Sequence, residues 1–123
     1  MTIRRFTIPI TVNSDGDAEV YSPVIRGKLV SIRYIKTDFA DGVDFVLTGE
    51  TSGQTIWSEE AVNASATRYP RAPTHSTAGV AALYASGGEA VNDMIALADE
   101  RIKIVVGDGG DTKTGTLHIV IDG

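Results

Sequence analysis

Arg101-Ile-Lys-Ile-Val-Val-Gly-Asp-Gly-Gly-Asp-Thr-Lys-Thr-Gly-Thr-Leu-His-Ile-Val-Ile-Asp122 is the stretch that decides the fold. Ile102, Ile104 and Val106 recur every second residue, and so do Leu117, Ile119 and Ile121. A period of two puts such residues on one face of an extended chain, so each half reads as a half-buried strand. Residues 107–115 between them are rich in Gly and polar residues, which predicts a hairpin loop. Within this loop, Lys113-Thr114 does not make a phosphate-binding P-loop. That motif needs Gly directly before the Lys and a helix after it, whereas Thr112 precedes Lys113 and a strand follows.

Moving outward, residues 94–98 supply one more strand just before this unit. At the other end of the chain Phe6, Ile8, Ile10 and Val12 alternate with Arg5, Thr7, Pro9 and Thr11. Pro9 has no N–H to give a ladder, which predicts a sheet edge. Asn13-Ser-Asp-Gly16 offers a turn in which Gly16 takes positive φ, and Ala18 and Val20 begin a return strand that Pro23 ends. Residues 28–36 are apolar on both faces and read as a strand partly covered on both sides. Asp38 to Gly42 reads as a polar turn. Val43, Phe45 and Leu47 mark another strand, residues 49–53 turn the chain again, and Thr55-Ile-Trp57 is a short strand.

Periodicity is lost over residues 58–80, where Ser, Thr, Ala, Asn and Pro dominate. An irregular segment this long inside a compact domain is uncommon without a function. Ser58 is placed to cap one helical turn through Glu59-Glu-Ala61. Ser76 is placed to cap a short helix with Val80, Leu83 and Tyr84 at helical spacing and Gly87 as its stop, although Gly79 weakens it. Seven or eight short strands separated by turns predict an all-β, two-sheet, jelly-roll-like sandwich spanning residues 1–123 as a single domain. It carries one long irregular segment and a short helix capped by Ser76.

Composition agrees with this. The 13 Gly and frequent Val, Ile and Thr favour strands and turns, and 42% hydrophobic with 22% charged residues is the balance of a globular chain. The net charge of −5 argues against a nucleic-acid partner, which selects for basic faces. Charge is unevenly distributed. Residues 1–36 hold Arg4, Arg5, Arg26, Lys28, Arg33 and Lys36, while residues 37–67 hold acids and no Lys or Arg. Two differently charged surface regions explain this; head-to-tail contact between subunits is the sharper reading. The absence of Cys excludes thiol redox chemistry and Cys-based zinc sites. Met1-Thr-Ile-Arg-Arg5 is unlike a signal peptide, and no apolar run approaches the roughly 18 residues of a membrane helix.

Few residues suggest chemistry. Asn13, Asp15 and Asp17 resemble a calcium loop, but Gly16 comes too early and position twelve is Val24, so a turn is expected. Asp38, Asp41 and Asp44 are oxygen donors of the kind hard cations use, and are commoner as turn residues that bond their own backbone. His75 and His118 stand apart, with no metal-binding His pair or nucleophile elbow. No catalytic residue, metal or cofactor is expected. Asn63-Ala-Ser65 matches a glycosylation sequon by chance. Trp57, Arg68, Tyr69 and Arg71 are the residue types that anchor interfaces, as is Tyr84 at the far end of the segment. With Arg4 and Arg5 of the first strand, the first four are the candidate partner-binding residues. Packing of the long segment onto the sandwich is the alternative role for Trp57, Arg68, Tyr69 and Arg71.

The stretches Asp38-Phe-Ala-Asp-Gly-Val-Asp-Phe45, Thr48-Gly-Glu-Thr-Ser-Gly-Gln-Thr-Ile-Trp57 and Ala66-Thr-Arg-Tyr-Pro-Arg71 resemble small structural proteins of tailed-bacteriophage particles. The closing 101–121 unit adds to the likeness. The resemblance implies a virion protein made in the host cytoplasm, in particular a capsid decoration, or cement, protein. Such proteins bind the major capsid protein on the outer shell, often as trimers, and have no catalytic residues. A neck or tail component is the alternative, and a ligand-binding β-sandwich or small cupin-like enzyme is the rival class. Neither nucleic acid nor membrane is an expected partner.

Overall fold

A computed structural model describes residues 2–123, and they form strands and turns with no helix. Ten strands follow in order: β1 (Ile3–Thr11), β2 (Ala18–Tyr21), β3 (Ile25–Lys36), β4 (Asp44–Gly49), β5 (Thr55–Glu59), β6 (Ala66–Arg68), β7 (Arg71–Pro73), β8 (Asn92–Glu100), β9 (Ile102–Gly107) and β10 (Thr114–Asp122). They build two antiparallel sheets. One runs β1-β10-β3-β8-β7, with β6 also on β3, and the other runs β2-β9-β4-β5. The chain is an all-β two-sheet sandwich.

The alternating residues build its interior. Ile8, Ile10, Leu29, Ile32, Leu117, Ile119 and Ile121 come from the larger sheet, and Phe45, Leu47, Ile102, Ile104 and Val106 from the smaller. Burying each such side chain contributes about 1.5–3 kcal/mol. At the centre, Tyr34, Phe39, Phe45 and Trp57 form an aromatic group. Tyr34 and Phe45 centroids lie 4.8 Å apart, and the Phe45 and Trp57 rings stack at 5.1 Å. Phe39 therefore belongs to the core although it lies in the segment read as a polar turn, and it is 2% exposed. The Tyr34 hydroxyl is buried without a hydrogen-bond partner. Burial, and then the nearby Asp41 charge, push its pKa up to about 12.

The closing hairpin is corrected. β9 and β10 occupy the predicted positions with the predicted inward faces, but they do not pair. β9 lies between β2 and β4, and β10 lies between β1 and β3. Ile104 and Ile119 thus enter one core from opposite layers. The connection between the strands spans the sandwich, and neighbouring loops satisfy its backbone. Gly109 N–H donates to Gly16 O (2.9 Å), Ala40 N–H to Gly109 O (3.0 Å) and Val12 N–H to Lys113 O (3.0 Å). A true hairpin would have closed these groups on each other.

Other expectations hold or change in the same way. β1 is an edge strand, as Pro9 predicted. The Asn13–Gly16 turn forms, with Gly16 at φ 84°, but the strand after it crosses to the other sheet and pairs with β9 rather than β1. Ser58 lies inside β5, not at a helix start. Residues 58–80 are less irregular than expected, since β6 and β7 lie within them. The short helix after Ser76 is absent. Residues 74–91 instead form a two-turn meander with bridges His75–Ala81 and Leu83–Ala90. Its turns close through Gly79 N–H to Ser76 O and Gly88 N–H to Ala85 O.

Candidate interaction site

The candidate anchors fall into two groups. Trp57, Arg68, Tyr69 and Arg71 lie together on one flank. The register Ile32–Arg68, Arg33–Thr67 and Tyr34–Ala66 fixes β6 against β3, and Arg71 opposite Met94 fixes β7 against β8. Arg4 and Arg5 lie on β1 at the far margin of the same sheet. The fold does not bring the two groups together within one copy.

Trp57 is a core residue, 8% exposed, and its indole N–H donates to Glu59 Oε1 at 3.2 Å. Glu59 also receives a two-pronged contact from Arg68, with Nε donating to Oε1 (2.8 Å) and Nη2 to Oε2 (2.9 Å). A fork on a carboxylate is the strong form of this pair. The Arg68 hydrogen bonds hold the Glu59 carboxyl below its ordinary range, and Glu59 in turn raises the guanidinium. Arg71 Nη1 donates to Val30 O (3.1 Å) and Pro70 O (2.8 Å). Both arginines are thereby spent on fixing the chain on either side of Tyr69. That ring stands 63% exposed. Tyr69 is the presented residue of this flank, with Arg68 and Arg71 as its supports and Trp57 linked to Arg68 through Glu59.

On β1, Arg4 Nη2 donates to Arg26 O (3.2 Å) and its guanidinium lies 5.5 Å from the centroid of the Phe6 ring. Arg5 lies opposite Val120 and forms no ion pair among the described residues. The Thr7 hydroxyl and His118 Nδ1 are 3.2 Å apart on the neighbouring row, so His118 sits on the outer surface as its phase predicted.

The acidic turns are built for the backbone. Asn13 Oδ1 accepts from the N–H of Asp15 (2.9 Å) and Asp17 (3.0 Å), and Asp44 Oδ1 accepts from Ala61 N–H (2.9 Å). Asp38 accepts from Thr114, and Asp41 pairs with Lys36. A hydrogen bond with Asp44, reinforced by charge repulsion, raises the Asp108 pKa. Among the described residues no group of three or more His, Asp or Glu converges as metal ligands, and the surface carries no enclosed pocket.

Two features escaped the sequence reading. Glu59 organises the Tyr69 flank, yet it was read only as part of a helical turn. Val80 and Leu83, expected on a helix face, are 66% and 43% exposed on the meander beside Tyr84, 76% exposed and already an interface candidate by residue type. The signal for them was present as a run of residues 76–88 without a single charge.

No protein-family model matches the chain, and no curated protein matches it in sequence.

Proposed function

We propose that this chain is a non-enzymatic structural protein of a tailed-phage virion, and specifically a capsid decoration protein that binds and stabilises the outer shell. The observation that carries the reading is the contrast within one small sandwich. Its core is closed, while Tyr69, Val80, Leu83 and Tyr84 stand exposed on the segment joining β5 to β8. Exposed aromatic and aliphatic side chains grouped on one segment mark an interaction surface. The resemblance of residues 38–45, 48–57 and 66–71 to small virion proteins supplies the kind of partner, a capsid protein.

A decoration protein needs a rigid body and a presented contact, not a pocket. The two supporting arginines hold the Tyr69 backbone in place before binding, which lowers the ordering cost of association. A symmetric oligomer multiplies weak contacts with a symmetric shell.

The test adds purified protein to undecorated capsids and measures co-sedimentation and thermal disruption. Binding with a raised disruption temperature is expected. Tyr69→Ala and Arg71→Ala remain folded and bind more weakly. A protein that neither co-sediments nor alters capsid stability would falsify the decoration reading and favour a neck or tail position. Stoichiometric metal in the purified protein would instead favour an enzyme.

A further inference from the structure

The six-stranded sheet ends in two unlike margins, and each lacks what the other offers. At one margin β1 pairs with β10 along nine residues and, among the described residues, with nothing on its other side. A free strand edge is a template for another chain. Pro9 interrupts the edge in its upper half, because it has no N–H to donate to a further strand. The lower half carries Arg5, which forms no ion pair among the described residues, on the same face as Ile3, which is 62% exposed, while Arg4 turns inward over Phe6 to Arg26 O. Cations repel a basic strand and admit an acidic one.

At the opposite margin the 74–91 meander continues from β7 and β8. Its backbone is well bonded: Thr74 N–H donates to Val91 O (2.8 Å), Ala82 N–H to Thr74 O (2.9 Å) and Tyr84 N–H to Glu89 O (3.0 Å). Its side chains are not buried. Val80, Leu83 and Tyr84 face solvent, and residues 78–82 add three alanines. Small β meanders are marginal in water without an apolar face to pack on. Its one formal charge is Glu89, which forms no ion pair among the described residues.

We infer that the meander of one copy docks on the lower half of the β1 edge of a second copy. Val80, Leu83 and Tyr84 cover Ile3, and Glu89 meets Arg5, which shares the outer face of β1 with Ile3. The charges match in sign, and both apolar sets leave water. Because the margins differ, the contact is heterologous, and repetition closes a ring or runs on as a chain. The contact does not depend on the capsid reading.

The test is sedimentation velocity of the full chain over a concentration series, with circular dichroism confirming the β fold of every variant. The wild-type chain is expected to associate. Glu89→Arg, and separately Arg5→Glu, are expected to weaken association by roughly tenfold or more, as reversed interface charges do. The two substitutions combined restore it, since the signs again match. The inference is overturned by a wild-type chain that stays monomeric throughout, by association that neither reversal weakens, or by a combined variant no better than its parts. Capsid co-sedimentation is scored separately, so either result leaves the other standing.

Discussion

β9 and β10 on one hand, and the 74–91 meander on the other, are both orderly stretches of hydrogen-bonded backbone, but they are ordered by different means. β9 and β10 drive Ile102, Ile104, Val106, Leu117, Ile119 and Ile121 into the core, all at 1% exposure or less. The meander has its backbone hydrogen bonds and little else, since nearly every side chain from Ser76 to Glu89 is exposed. A hydrogen bond exchanged with water contributes about 1 kcal/mol net, whereas a buried Ile or Leu contributes about 1.5–3. The strands are therefore held by burial, and the meander is the part of the molecule with most to gain from a partner.

Substitutions sharpen that contrast. The largest effect belongs to Ile104→Asp, which places an unpaired charge in the core and is expected to abolish soluble folded protein. Lys103→Asp beside it loses the 3.1 Å contact with Glu19 on the outer face and keeps the fold. Equal solubility of the two variants would show that the inward face of β9 is wrongly identified. Next comes Tyr34→Phe, which deletes a buried hydroxyl that has no partner. Removing it is expected to raise stability by about 1 kcal/mol in a denaturant titration, the lower end of the cost of an unmet buried polar group. A loss of similar size would reveal a partner for the hydroxyl. The smallest effect is expected in the meander, where Leu83→Ser and Tyr84→Ser should change monomer stability by less than about 0.5 kcal/mol. A drop of several degrees in Tm at a concentration where the chain is monomeric would mean that the meander packs on its own sandwich, and the contrast drawn here would collapse.

The strands were legible because period-two alternation reports directly which residues face inward. Ile8, Phe45, Ile104 and Ile119 were all found that way. Pairing was not legible, because alternation says which face is buried and is silent about which neighbour lies alongside. Hence β9 and β10 were joined as a hairpin, and β2 was returned to β1. The helix predicted after Ser76 failed for a related reason. Val80, Leu83 and Tyr84 have helical spacing, but a helix there has no core to face, and the turns ending at Gly79 and Gly88 break the chain into short bridges. Of the candidate site, Tyr69 was found by residue type. The Glu59–Arg68 fork was not, because it depends on a pairing between β3 and β6 that no local pattern encodes.

The position of β10 also sets an order of events in folding. β1 and β3 are not neighbours in the finished sheet, since β10 lies between them and ties residues as far apart as Thr7 and His118, 111 positions along the chain. Until β10 arrives, β1 has no partner and β3 is paired along one side only, with β6 and β8. Distant pairings of this kind close slowly, in milliseconds to seconds. During synthesis the early strands must wait with their inner faces open, so the interval before β10 joins is when the chain is most exposed to misassociation.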